Sequence, residues 1–177
     1  MSIIRFIANK DNTITNAFKA GMSTRGTLAN MGASDIIEIF SIFGQANTSS
    51  LEQARILIEF PIEEIKNLRL SSKIPQSGSV DFKLKLFNAE HGGTTPDSFD
   101  VSIHPLSSSW REGPGLDMEE YSDIGPSNWL SSSLTTAWTK PGGDFLDGQY
   151  TKKVSFISGF EDLEVDITNT VEAWISG

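Results

Sequence analysis

The chain contains no cysteine and only two histidines, His91 and His104, among its 177 residues. Without cysteine it can form no disulfide, no thiolate metal site and no iron–sulfur cluster. Two histidines leave little material for a histidine-rich metal centre or for a Ser-His-Asp triad. We predict that His104 is exposed at a strand end and that His91 lies in a turn, and we assign no catalytic residue.

Basic residues are scarce relative to acidic ones. The chain has 14 Lys and Arg against 23 Asp and Glu, which gives a formal net charge of −9. Because Lys and Arg are not clustered, this charge argues against nucleic acid or an anionic membrane surface as the main partner. It is compatible with a cation or with a basic protein surface.

Long apolar runs are also missing. In the first residues, Met-Ser-Ile-Ile-Arg-Phe-Ile-Ala, polar or charged residues interrupt the apolar runs after two or three positions. We therefore expect no signal peptide and no transmembrane span, and either retention in the cytoplasm or export as part of something larger. The length fits one domain over residues 1–177.

Alternation of apolar and polar side chains is the dominant pattern. It covers residues 80–86, 99–104 and 163–168 and predicts half-buried strands. Residues 35–43 and 54–60 are richer in apolar side chains, which is typical of central strands covered on both faces or of strands whose outer face meets a partner. With turns rich in Gly, Pro and Ser between them, these segments predict an all-β, antiparallel two-sheet sandwich.

Two short helices are expected to interrupt the strands. Pro61 is placed at a first helical position and is followed by Glu63 and Glu64 in the first turn. Near the end of the chain, Asn169 and Glu172 have the spacing of a capping box, so a second helix of about two turns is predicted there.

The predicted core consists of the inward-facing apolar residues of these strands, and Trp174 is expected to plug one end of the sandwich. The strand residues in this prediction are Ile56, Ile58, Phe60, Phe82, Leu84, Leu86, Val101, Ile103, Val165 and Ile167.

An acidic loop supplies candidate metal ligands. Asp117, Glu119, Glu120 and Asp123 place four carboxylates within seven residues. Oxygen-rich loops suit Ca²⁺, although this spacing is not that of an EF-hand. The alternative is a solvated acidic loop without an ion.

Tryptophans are concentrated in the least periodic segment, residues 107–150. Trp110 and Trp129, with Glu112 beside the first, are candidate glycan-binding residues, because sugars stack on exposed aromatic faces. The favoured alternative is that the tryptophans fill the core under long loops. Glu112 also belongs to possible carboxylate pairs for glycoside hydrolysis, but any acidic β-protein contains such pairs by chance.

Several motifs occur in a recognisable order. They comprise an early Asp-x-x-Ile, an Arg-x-Leu-Ile-x-Phe strand, a Trp-x-Glu after a further strand and a closing Val-Asp-Ile-Thr-x-x-Val-x-x-Trp, at residues 11–14, 55–60, 110–112 and 165–174. In this order they resemble the DNRLRE-type domain, a jelly-roll β-sandwich similar to carbohydrate-binding modules. The resemblance covers nearly the whole chain.

The segments 110–123, 127–129, 142–145 and 160–166 are similar to versions of this domain on structural proteins of tailed bacteriophages. The resemblance implies a non-enzymatic virion protein, a decoration, fibre or adaptor module that contacts other virion proteins or copies of itself. It equally allows a carbohydrate-binding module that stacks polysaccharide on exposed Trp, with Ca²⁺ as a possible cofactor. The family usually continues past the closing helix into one more strand, so either the chain is a fragment of a longer protein or another chain completes that edge.

Overall fold

The computed structural model describes residues 2–90 and 95–177, so the predicted turn at His91 lies outside the described residues. The described part is a strand-rich, all-β arrangement with two short helices, as predicted. In chain order its elements are β1 (Lys10–Thr15), β2 (Phe40–Phe43), β3 (Leu51–Glu59), α1 (Ile62–Leu70), β4 (Lys83–Leu86), β5 (Phe99–Ile103), β6 (Ser131–Ser133), β7 (Thr136–Ala137), β8 (Lys152–Phe156), β9 (Leu163–Asp166) and α2 (Thr168–Ser176).

The chain divides into two compact units. Unit 1 comprises Met1–Phe60 and Leu106–Asp144, and unit 2 comprises Pro61–Pro105 and Phe145–Gly177. A single domain over residues 1–177 stays a prediction.

The main sheet of unit 1 has three antiparallel strands in the order β1-β3-β2. The central position of β3 confirms the prediction of a central strand at residues 54–60. Strand β2 covers only part of the predicted segment 35–43 and lies at the edge of the sheet, so a central strand there is wrong. The other interpretation of that segment, a strand that meets a partner, remains open.

The core of unit 1 is built from the sheet and from the tryptophan-rich segment. Ile14 of β1 and Leu57 of β3 pack with Trp110, Trp129 and Trp138, and Leu106 lies against this cluster. All three tryptophans are buried. The prediction that these tryptophans fill the core is therefore confirmed.

Unit 2 contains two antiparallel strand pairs, β4 with β9 and β5 with β8. Phe99 and Phe156 face each other across the second pair, with their rings stacked and the ring centres 5.0 Å apart. The three alternating segments of the sequence thus form strands β4, β5 and β9. His104 directly follows β5, which confirms its predicted place at a strand end. It is half-buried, with Nδ1 3.1 Å from the carboxylate of Asp147, so its predicted exposure is wrong.

Most of the predicted core residues are only half-buried. Of the ten strand positions proposed, Leu84 and Ile167 are buried. The two-stranded ladders of unit 2 offer few neighbours to cover an apolar face. In the three-stranded sheet, β3 buries Ala54 and Leu57 and leaves Ile56 and Ile58 half-buried. Trp174 lies on α2 and is 37% exposed, so the prediction that it plugs one end of the sandwich is wrong.

Helix α1 begins one position after its predicted start, and helix α2 begins two positions before its predicted start. Helix α1 begins after Pro61, which is its cap residue, and carries Glu63 and Glu64 in its first turn. Helix α2 begins at Thr168 without a side-chain cap, because its cap residue is the apolar Ile167. Asn169 lies inside the helix, and Glu172 is bonded to Arg69, so the predicted capping box is wrong. Neither helix in the described part has the length and apolar character needed to cross a membrane.

Candidate functional site

Trp110 and Trp129, the candidate stacking residues, are closed to a sugar. They are 4% and 7% exposed. The guanidinium of Arg55 lies 4.8 Å from the ring centre of Trp129 and donates to the carbonyl of Gly142 at 2.7 Å. Stacking of a pyranose needs an open aromatic face, so the prediction that these two tryptophans bind glycan is wrong.

Glu112, the third glycan candidate, forms a hydrogen bond within the fold. Its Oε1 accepts a hydrogen bond from the backbone N–H of Asp11 in β1 at 2.9 Å. Burial, together with the charge of Glu112, raises the pKa of Asp11. The carboxylate thus covers a donor on the outer edge of β1.

Three fully buried polar residues, Asn12, Asn30 and Ser127, anchor the long loop of unit 1. Nδ2 of Asn30 donates to the carbonyls of Glu112 and Ser127 at 2.6 and 2.8 Å, and its Oδ1 accepts from the N–H of Gly115 at 2.9 Å. Nδ2 of Asn12 donates to the hydroxyl of Ser127 at 2.8 Å. Because these buried amides have their partners within the protein, we interpret the network as structural.

The acidic loop is organised by its own backbone. Asp117 accepts from the N–H groups of Glu119 and Glu120 at 2.9 and 2.8 Å and from the hydroxyl of Ser122 at 2.6 Å. These bonds, the Ser122 hydroxyl foremost, hold the pKa of Asp117 well below its usual range. Asp123 accepts from the N–H groups of Leu116 and Asp117.

The four candidate metal ligands do not converge on one point. In residues 2–90 and 95–177, no group of three or more His, Asp or Glu side chains is placed to hold a metal ion. Glu119 and Glu120 are exposed, whereas Asp117 and Asp123 are engaged with the backbone. The loop therefore has a complete structural explanation without an ion, and Ca²⁺ binding stays a prediction.

The two edges of the unit 1 sheet differ in how they are covered. On β1, the carboxylate of Glu112 caps the N–H of Asp11. On β2, the described residues place no strand beyond it, and Ile42 and Phe43 are 38% and 72% exposed. Ile39, just before the strand, is exposed as well. An uncovered edge with apolar side chains on both faces is a site where another chain can add.

Unit 2 carries an open groove of about 480 Å³. Most of the side chains that line it bear hydroxyl, amide or carboxylate groups, and one is aromatic. The aromatic side chain is that of Tyr150, and the polar ones include Ser77, Gln149, Thr168, Asn169 and Glu172. The sequence did not single out this groove, because its residues come from three separate segments with no shared motif.

A buried carboxylate, Glu52, lies in β3. It is 2% exposed, and its Oε2 accepts from the N–H of Phe18 at 2.8 Å, whereas Oε1 has no hydrogen-bond partner among the described residues. Burial, with the charges of Glu38, Glu52 and Asp117, raises the pKa of Tyr121 to about 12. Acidic groups and a neutral phenol thus share this part of unit 1.

No family model, no curated protein and no solved structure matches the chain. The resemblance to the DNRLRE-type domain accordingly stays a prediction.

Proposed function

We propose that the chain is a non-enzymatic structural protein of a tailed phage virion, a decoration, fibre or adaptor module that works by protein–protein contact. We also propose that its strands belong to a jelly-roll β-sandwich, as in the domain that the sequence resembles. The observation that supports the function most directly is the uncovered apolar edge of β2.

The exposure of β2 is costly for an isolated protein. An edge strand presents unpaired N–H and C=O groups, and proteins usually protect such strands with charged residues, Pro, bulges or a covering segment. Phe40, Ser41, Ile42 and Phe43 include none of these protective residues. In an assembled particle, a neighbouring subunit would cover the strand.

Three carboxylates with lowered pKa values favour a structural role over catalysis. Asp117 and Asp144 accept backbone N–H groups of their own loops, and Glu172 is paired with Arg69. Carboxylates with shifted pKa values occur in active sites and in structural networks alike. Here each has a partner that explains its shift through the fold.

The proposal is tested on purified particles of the phage that encodes the chain. We expect peptides of the chain to be found in those particles by mass spectrometry, and Phe43→Ser to reduce its incorporation. Leu134→Ser is the matched control, because Leu134 is an apolar residue of unit 1 with 84% exposure outside the sheet. Particles that are complete without the chain would overturn the proposal.

A second candidate function is carbohydrate binding, which the groove of unit 2 favours. Its polar lining supplies donors and acceptors for sugar hydroxyls, and the half-buried ring of Tyr150 supplies an apolar surface. Glu172, held by Arg69, offers a fixed acceptor. In this candidate the sugar lies at Tyr150 and not at Trp110 or Trp129.

Affinity electrophoresis in gels that contain polysaccharides tests this candidate. We expect retardation by at least one polysaccharide, loss of retardation in Tyr150→Ala and its retention in Tyr150→Phe, which keeps the ring. Trp174→Phe is a control on the same unit. Unchanged mobility in a broad set of polysaccharides would exclude glycan binding by this groove.

A further inference from the structure

We propose that β2 pairs with β2 of a second copy of this chain, strand against strand and antiparallel, with Ser41 at the two-fold axis. The inference rests on the proposed function, because it names the partner that covers the exposed edge. It extends the sheet of unit 1 from three strands in one copy to six across the pair.

The backbone of β2 is suited to strand addition. Its one described strand neighbour is β3, with Phe40 opposite Ala54 and Ile42 opposite Glu52, so its other side is open in the described part. Added strands gain main-chain hydrogen bonds along such an edge and cover side chains on both faces of the sheet. Ile42 lies on one face and Phe43 on the other, and both are exposed.

The charge distribution permits a second copy as the partner and offers no recognition to a charged one. Each copy has a net charge of −9, so most contacts between copies bring negative surfaces together. Residues 39–51 carry no charged side chain, and of the two flanking carboxylates Glu52 is buried. The β2 edge can therefore meet its own copy without opposing like charges. A basic partner would find no charge on this strand to recognise.

Symmetry restricts the register. In an antiparallel pair with a two-fold axis perpendicular to the sheet, directly opposite residues lie on the same face, so the axis passes through a residue position. With Ser41 on the axis, Phe40 faces Ile42 of the second copy, and Ile39 faces Phe43. With Ile42 on the axis, Phe43 would face Ser41 and Phe40 would face Gly44. The Ser41 register therefore brings apolar residues together on both faces.

Because the chain has no cysteine, a single introduced cysteine reports the register. Directly opposite Cα atoms lie about 4.5–5.5 Å apart, which is within the range a disulfide requires. We expect Ser41→Cys to form a disulfide-linked dimer under mild oxidation several-fold faster than Ile42→Cys. Leu134→Cys, at an exposed position of the same unit, measures random collision.

Light scattering of the unmodified chain gives an independent readout. We expect the parent chain to be a dimer. Phe43→Glu should convert it to a monomer, because this change places like charges in the contact, whereas Leu134→Glu should leave the dimer intact. Circular dichroism checks that each variant keeps the fold. The cysteine variants report the contact even where Phe43→Glu fails to fold.

Three results would overturn the proposal: a monomer at all concentrations, a Ser41→Cys rate equal to that of Leu134→Cys, or faster cross-linking by Ile42→Cys. If pairing fails while the chain is still found in particles, the proposed function holds and another virion protein covers β2. If the chain pairs but is absent from particles, the virion proposal fails and the pairing stands.

Discussion

Arg69 of α1 and Glu172 of α2 face each other through two parallel hydrogen bonds, Nη1 to Oε2 at 2.6 Å and Nη2 to Oε1 at 2.7 Å. The two side chains retain only 9% and 16% of their exposure. This pair connects residues 103 positions apart in the chain and ties the two helices of unit 2 together. It also fixes the carboxylate at the wall of the groove.

Loss of this pair should be strongly destabilising. Glu172→Gln leaves the buried guanidinium of Arg69 without its charge partner, and we expect a decrease of about 3 kcal/mol in the free energy of unfolding at neutral pH. Glu63→Gln, which removes an exposed i,i+3 pair with Lys66, should change it by less than about 0.5 kcal/mol. Urea denaturation measures both, and equal effects would contradict the prediction.

The same pair predicts a pH dependence. The hydrogen bonds from Arg69 lower the pKa of Glu172 in the folded protein. A carboxyl group whose folded pKa is lowered stabilises the fold above its unfolded pKa of about 4.3, and this stability is lost as the pH falls through the folded pKa. Unfolding free energies measured from neutral to acidic pH should therefore converge for the parent chain and Glu172→Gln. A constant difference would contradict this.

Gly115 packs closely against Asn30, so a single added methyl group should lower the stability of the fold strongly. A Cβ added at Gly115 would overlap the carbonyl of Asn30, whereas one added at Gly21 would meet nothing within 4 Å. We expect Gly115→Ala to cost about 3 kcal/mol through overpacking against backbone. Gly21→Ala should cost about 1 kcal/mol, because only its left-handed conformation is strained. Thermal or urea unfolding compares the two, and similar costs would count against the buried network.

Burial of three tryptophans predicts the pattern of fluorescence quenching. Trp110, Trp129 and Trp138 are between 4% and 7% exposed, whereas Trp174 is 37% exposed. We expect Trp174→Phe to remove most of the emission that acrylamide quenches, and Trp129→Phe to leave the quenchable fraction nearly unchanged. Strong quenching that survives Trp174→Phe would mean that an exposed tryptophan is still available for stacking.

Tyr121 should ionise at unusually high pH. Burial, and to a smaller extent the charges of Glu38, Glu52 and Asp117, raises its pKa to about 12. The fold should accordingly lose stability as the pH rises above the unfolded value of about 10. In Tyr150→Phe, which leaves Tyr121 as the remaining tyrosine, an absorbance titration of the folded protein should give the raised midpoint. Urea-unfolded protein is the control, and equal midpoints would contradict the prediction.

The strands were the most predictable part of the fold. Alternation at 80–86, 99–104 and 163–168 marks β4, β5 and β9, because a strand with one covered face selects apolar residues at every second position. The same rule overestimates burial. Val101 and Val165 obey the alternation and are nevertheless half-buried, since a two-stranded ladder covers them incompletely.

The candidate sites were less predictable, because residue type does not reveal the partner. The sequence alone is compatible with either stacking or packing by Trp129, whereas in the fold Arg55 and Gly142 lie against its ring. Glu172 had the spacing of a capping box, but a charge-assisted bond to a distant Arg69 is stronger than a bond to a helix N–H. Only the tertiary contacts distinguish these alternatives.

The sequence by itself determined the strand-rich class, the negative charge and the exclusion of cysteine chemistry, since these depend on composition and local periodicity. The tertiary structure decided which edge of the sheet is covered, which acids are buried and which polar residues share a groove. Glu112 reaches Asp11 across 101 positions, whereas β2 has no such cover in the described part. Such relationships depend on how distant segments pack, and no local pattern encodes them.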